Sequence, residues 1–408
     1  MELHTFTLPN GIRLVHHEIP GPVAHCGLLI NAGTRDEPDT RHGVAHFIEH
    51  TIFKGTARRS VLQVLNRLEN VGADLNAYTG KEETVIHATF LNEYYDRTLE
   101  LFQDIFFHSV FPEKEILKEK QVIIDEIHSY QDTPAEQIFD DFEELLFTGH
   151  PLGKNTLGTG KSIHGMKRHD LLDFIYHQYQ LDQVVIASVG NISFPRLIRM
   201  ATRYFSDQPE RGNGIPRNPV KPGNPFNKIV KKRIFQVHCL LGAPAYPFYD
   251  ERRIALALLN NMLGGPVMNS RLSLALRERN GLTYHNESNY TAYSDTGLIT
   301  IYFGTEPALY EKALSIVHLE LNRLRTEMLS VLQLHTIKKQ LTGQLVVGQD
   351  SNLSNMLALG KSFLIQDRYD PMETIIRRIE QVTARELLDI SNEIFNPDCL
   401  SCLTFLPK

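Results

Sequence analysis

One sixteen-residue stretch constrains this chain more than any other. It reads Arg41-His42-Gly43-Val44-Ala45-His46-Phe47-Ile48-Glu49-His50-Thr51-Ile52-Phe53-Lys54-Gly55-Thr56. In a helix, His46 and His50 stand one turn apart on one face, with Glu49 on the same side. Val44, Ile48 and Ile52 take the opposite side. A fold that buries both faces must pair the ionisable groups or bind a metal with them. Two imidazoles at i and i+4 suit one Zn²⁺, at about 2.0–2.1 Å per Zn–N bond. A Glu beside them is placed to take a proton from water activated by such an ion.

The order His-x-x-Glu-His is the inverted zincin arrangement. A catalytic zinc also needs a third protein ligand. The candidate lies in Glu119-Lys120-Gln121-Val122-Ile123-Ile124-Asp125-Glu126. Glu119 and Glu126 are seven apart, so on a helix they stack on one face two turns apart, with Val122 and Ile123 between them. A half-buried pair of carboxylates needs positive charge nearby, which a metal would supply. The other reading is a surface helix with ordinary acids, and Asp125, Glu113 and Glu115 are assigned to it.

The chain has 408 residues, enough for two or more domains. It is 42% hydrophobic and 22% charged, typical of a globular protein. A net charge of −6 without a basic block excludes nucleic acid and anionic membrane as expected partners. The start, Met1-Glu2-Leu3-His4-Thr5-Phe6, has neither the cationic nor the apolar region of a signal peptide, and no apolar run reaches membrane-spanning length. A cytoplasmic location is therefore expected. The four cysteines (26, 239, 399, 402) are irregularly spaced and read as reduced thiols.

Residues 207–227 are rich in Pro, Gly and Asn and form the obvious linker. They separate an expected N-terminal metal-binding domain, 1–210, from a C-terminal domain, 228–408, with 211–227 between. The second half repeats the first. Arg168 to Asp182 parallels Ala384 to Asp398 at an offset of 216, and His25-Cys26 falls opposite His238-Cys239 at 213. This predicts a duplicated α/β unit. The 213 offset sets Leu259, Met262 and Leu263 opposite His46, Glu49 and His50, so the second half is expected to keep the helix and lack the metal site.

Taken together, the motifs resemble the M16 family of zinc peptidases, which includes pitrilysin, insulysin and the mitochondrial processing peptidase. The resemblance is closest to its single-repeat-pair bacterial members. The matching pieces are His46-Phe47-Ile48-Glu49-His50 with Phe53-Lys54-Gly55-Thr56, then Leu75-Asn76-Ala77-Tyr78-Thr79, Glu119 to Glu126 and Pro151-Leu152-Gly153. In the second half they are Arg271 to Tyr284, Asp295-x-Gly297-Leu298 and Phe303-Gly304-Thr305. They run in the family's order over nearly the whole chain.

The resemblance implies an α+β fold of two duplicated halves, each a mostly antiparallel sheet with helices on one face. It implies one zinc ion per chain, bound by His46, His50 and Glu126, with Glu119 orienting a ligand and Glu49 as general base. Arg277 and Tyr284 match the family pair that approaches the substrate oxyanion, and Asn76 and Ala77 match the strand on which an extended peptide adds. The implied activity is endopeptidase action on extended peptides or unfolded segments. A homodimer is expected, each site completed by the partner's C-terminal half, although a heterodimer with a metal-free homologue stays open. The alternative is a non-catalytic or partner-dependent subunit, but such members typically lose the His-x-x-Glu-His that this chain keeps.

Overall fold

Apolar residues alternate between two environments along the strands of the first half, and that alternation builds a sheet with two covered faces. A computed structural model describes residues 3–207, 216–221 and 223–408. Residues 211–215 and 222 of the expected linker lie outside the described residues. The strands are β1 (Leu3–Thr7), β2 (Arg13–Glu18), β3 (Val23–Ile30), β4 (Asp74–Thr79), β5 (Thr84–Leu91) and β6 (Val184–Gly190), then β7 (Asn227–Lys232), β8 (Val237–Ala245), β9 (Thr283–Ala292), β10 (Gly297–Thr305) and β11 (Ser401–Pro407). The helices of the first half are α1 (Val44–Thr51), α2 (Val61–Glu69), α3 (Tyr95–His108), α4 (Glu113–Gln131), α5 (Pro134–Leu146), α6 (Gly160–Gly165), α7 (Arg168–Gln178) and α8 (Phe194–Phe205). Those of the second are α9 (Arg253–Gly264), α10 (Tyr310–Thr326), α11 (Val331–Gly348), α12 (Asn352–Gln366), α13 (Met372–Gln381) and α14 (Ala384–Ile394). Among the described residues, no helix is long and apolar enough to cross a membrane.

The chain divides into two compact units. The first comprises Met1–His128, Lys154–Asn218 and Gly348–Tyr369. Its sheet has the order β1-β2-β6-β3-β5-β4, antiparallel except where β2 meets β6. The central strand β6, Val-Val-Ile-Ala-Ser-Val-Gly, is buried throughout, as an apolar run flanked on both edges should be. One face, with Leu14, Cys26, Leu28, Ile86 and Ile186, packs against α1, α3, α7 and α8 through one large core. The other face, with Val15, Leu29, Val85, Val185 and Val189, is covered by α12 through Met356, Leu359 and Leu364. Gly360 permits that approach, since a Cβ there would lie 2.5 Å from a Leu29 methyl.

The second unit comprises Ser129–Gly153, Pro219–Val347 and Asp370–Lys408. Its sheet, β7-β11-β8-β10-β9, has the same arrangement without the extra edge strand, and its one parallel pair is β7 with β11. The expected duplication is visible in the register. Cys26 faces Ser188 and Cys239 faces Thr404, while Leu14 faces Ile186 and Asn227 faces Cys402. These are the 213 and 216 offsets of the sequence. Leu259, Met262 and Leu263 all lie buried on α9, which packs on α14 as α1 packs on α7.

Each half is the expected mostly antiparallel sheet with a helical layer on one face. Each sheet also carries one further helix on its other face: α12 on the first and α5 on the second, the latter through Ile138, Phe142 and Leu146.

Candidate metal centre

The first turn of α1 is built around a residue that only glycine suits. Gly43 precedes the helix with φ +91°. A Cβ there would meet the Leu157 carbonyl oxygen at 2.8 Å and Gly158 Cα at 2.9 Å. The unpaired N–H groups of the first turn point at the buried carboxylate of Glu37. Gly43 N–H donates to Oε2 at 2.8 Å and Ala45 N–H to Oε1 at 2.9 Å. Burial pushes the Glu37 carboxyl up to about 8, opposed by those two N–H groups. Past the helix, the Thr56 hydroxyl and the Arg59 guanidinium hold Asp104, a fully buried carboxylate on α3. Both ends of α1 are therefore anchored.

So fixed, α1 presents His46 and His50 on one side, their rings 4.6 Å apart between centroids. Glu126 on α4 meets them: its Oε2 lies 3.7 Å from His46 Nε2 and 3.3 Å from His50 Nε2. One donor atom from each of the three residues lies within 4.8 Å of the others. On the far side of the His50 ring, Nδ1 is 3.2 Å from Glu119 Oε2, and Lys54 Nζ is 2.9 Å from Glu119 Oε1. A proton on Nδ1 shared with Glu119 leaves the Nε2 lone pair free. Burial, and secondarily the neighbouring His50, push His46 down to about 3, so it is a neutral base at physiological pH. Its buried Nδ1 has no hydrogen-bond partner among the described residues. Two imidazoles and a carboxylate converging on one point are a donor set suited to a divalent ion such as zinc.

Glu49 stands one residue before His50 and is half-buried beside Thr79, the last residue of β4. Burial raises its carboxyl above the ordinary range. The polar groups of Thr79 and the His50 ring pull it back, while Glu126 adds to the rise.

Asn76 and Ala77 lie on β4, the edge strand of the first sheet. Leu75 and Ala77 pack against the helical core, so Asn76 points to the opposite face. There its amide donates to the Asp74 carboxylate at 3.0 and 3.1 Å. What Asn76 offers beside α1 is edge backbone rather than its side chain. Arg277 and Tyr284 belong to the second unit. Arg277 sits in a π-helical turn, Ser273–Glu278, with its guanidinium 5.4 Å from the centre of the Tyr284 ring, which is 85% exposed.

Glu37, Lys54 and Thr79 were not singled out in the sequence. Lys54 lies in the matched Phe53-Lys54-Gly55-Thr56 and could have been paired with Glu119. Thr79 likewise closes the matched Leu75-Asn76-Ala77-Tyr78-Thr79, although nothing in the sequence sets it beside Glu49, and no spacing rule finds Glu37.

The profile of the insulinase family, peptidase family M16, matches residues 13–160, and that of the peptidase M16 inactive domain matches residues 165–341. The uncharacterized zinc protease YmxG of Bacillus subtilis is 31% identical over 395 residues, covering 96% of each chain. An uncharacterized zinc protease of Rickettsia felis is 31% identical over 393 residues, covering 95% of this chain and 94% of its own. Among solved structures, a peptidase M16 inactive domain from Pseudomonas fluorescens superposes with a TM-score of 0.93 at 21% identity, covering 100% of this chain and 98% of the other. A protease from Helicobacter pylori gives 0.92 at 21%, covering 100% and 99%. The structural likeness establishes the fold, and the sequence matches across both halves establish that the chain belongs to peptidase family M16.

Proposed function

We propose that this chain is a zinc-dependent endopeptidase acting on extended peptides or unfolded segments. The observation that carries the reading is the convergence of His46, His50 and Glu126 with Glu49 on the same helix. The relatives named as zinc proteases support it. His46, His50 and Glu126 would hold one zinc ion per chain, and zinc so held would supply Lewis acidity and lower the pKa of water toward about 7. Glu49 takes the proton of the attacking water on its carboxylate and returns it to the leaving amine. A carboxyl raised by burial suits both halves of that transfer. Glu119, braced by Lys54, keeps His50 in the tautomer that presents Nε2. An extended peptide adds to the edge of β4, held by the backbone of Asn76 and Ala77. Arg277 and Tyr284 donate hydrogen bonds to the developing oxyanion. A homodimer, in which the C-terminal half of one chain serves the site of the other, is part of the proposal.

The test is cleavage of a panel of unstructured peptides by the full chain and by Glu49→Gln, each with its metal content measured. Cleavage by the first, with metal retained and cleavage reduced by about 10²–10⁴-fold in the second, supports the reading. Metal bound by both with no peptide cleaved by either would overturn it in favour of a partner-dependent subunit.

A further inference from the structure

The connector between the two halves is not simply slack chain. Arg217, in the segment that composition marks as linker, is folded against the first unit. Its Nε and Nη2 donate to Oδ1 and Oδ2 of Asp36, both at 2.8 Å, which is the two-pronged arrangement of a guanidinium on a carboxylate. The same Nη2 reaches the carbonyl oxygens of Glu82 at 2.8 Å and Asn31 at 3.3 Å. Asp36 is almost fully buried, with a side-chain exposure of 4%. Next along the connector, the Asn218 carbonyl accepts from Arg35 Nη2 at 2.9 Å.

What Arg217 grips is one step from the candidate metal centre on two routes. On the first, Asp36 adjoins Glu37, whose carboxylate receives the N–H groups of Gly43 and Ala45 at the start of α1. On the second, the 33–37 loop is laced to the turn after β4: Thr34 N–H donates to the Gly80 carbonyl at 3.1 Å and Arg35 N–H to that of Lys81 at 2.8 Å. Arg35, buried, also pairs with Glu82 at 2.5 Å. That turn follows Thr79 directly, and Thr79 stands beside Glu49.

We propose that Arg217 is a positioning residue for the catalytic helix. It locks the 33–37 loop and the β4–β5 turn together, and so sets where α1 begins and where β4 ends. The inference rests on the peptidase reading for its catalytic consequence but not for its structural one. The planar fork meets both oxygens of Asp36 along two parallel N–H bonds, a geometry that the compact ammonium of a lysine does not reproduce.

The experiment uses the full chain with Arg217→Gln, Arg217→Lys and Asp36→Asn. Hydrogen exchange of the zinc-free proteins is followed by mass spectrometry. Zinc affinity is measured by competition with a chelator, and kcat and KM on a cleaved peptide. In Arg217→Gln, residues 33–37 and α1 should exchange about tenfold faster, with zinc affinity lower by about 10- to 100-fold. kcat should fall by at least about tenfold while KM moves less. Low millimolar guanidinium should restore a substantial part of both zinc affinity and kcat in Arg217→Gln, and Arg217→Lys should not match that rescue. Unchanged exchange in α1 with unchanged zinc affinity would overturn the proposal. So would a loss of activity that guanidinium does not reverse and that follows global unfolding. If Arg217→Gln does not fold, Asp36→Asn is read by the exchange and zinc-affinity criteria, without the guanidinium rescue. Should the wild-type chain neither bind zinc nor cleave, the peptidase reading fails, and the exchange of α1 still decides the positioning role.

Discussion

Nδ1 of His50 lies 3.2 Å from Oε2 of Glu119, on the side of the ring away from Glu126. The other Glu119 oxygen is held by Lys54 at 2.9 Å. With zinc on Nε2, the pair would hold the His50 proton on Nδ1. Glu119→Ala is expected to weaken zinc binding by about 10- to 100-fold. Lys54→Met should have a smaller effect, because it removes the brace and leaves the carboxylate. Chelator competition at fixed pH measures both, and equal affinities for wild type and Glu119→Ala would remove Glu119 from the site.

Gly43→Ala should damage the site without touching a donor atom. The left-handed backbone and the approach of Leu157 and Gly158 leave no room for a methyl group. We expect a stability loss of about 1–3 kcal/mol, read from urea unfolding, together with weaker zinc binding because the start of α1 moves. An alanine variant as stable as wild type would mean that the 157–158 loop yields freely.

Arg277 and Tyr284 can be separated from the metal by their phenotype. Arg277→Ala and Tyr284→Phe should lower kcat by about 10²–10³-fold if each donates to the oxyanion. Zinc content, measured on the same preparations, should stay at the wild-type level. A wild-type kcat in both would assign the pair to packing within the second unit.

His16 offers a test by pH away from the metal. It is fully buried on β2, with ring nitrogens at the carbonyls of Ser188 (3.2 Å) and Ile192 (3.0 Å). Burial, more than the repulsion from His4 and His17, pushes it down to about 4, against the pull of those carbonyls. An unfolded chain takes up the proton near its ordinary value of 6.5. Between those values the unfolded state binds more protons, so stability falls as pH falls through the window. The stability advantage of wild type over His16→Gln should therefore shrink by about 1.4 kcal/mol per pH unit from pH 6.5 toward 4. Urea midpoints at four pH values would show it, and a constant difference would contradict it.

How much of this was legible in the sequence depends on whether a contact is local or long-range. His46, Glu49 and His50 are local: one helical period puts them on one face. Glu119 and Glu126 are local to α4 in the same way, and two sequence matches at nearly one offset exposed the duplication. The cap that Glu37 supplies to α1 was not legible, because it depends on the path of six intervening residues. Asn76 was legible as a strand position, yet the direction of its side chain follows from which face of β4 meets the core. Arg217 was hidden by composition. Pro, Gly and Asn mark a connector, but they do not say that one arginine within it is folded onto the buried carboxylate of Asp36. Nor does anything in the sequence show which sheet α12 covers.

That last placement bears on how the gene can be divided. A chain cut at the midpoint connector would leave Val15, Leu29, Val85, Val185 and Val189 bare on the first fragment, because their cover, Met356, Leu359 and Leu364, would depart with the second. The second fragment would in turn lack Ile138, Phe142 and Leu146 over Leu240 and Phe405. Each fragment would carry the other's missing lid, so two separately made fragments have an apolar reason to find each other and reconstitute the whole. A doubled ancestor that had traded these two helices could no longer be trimmed back to a single working copy.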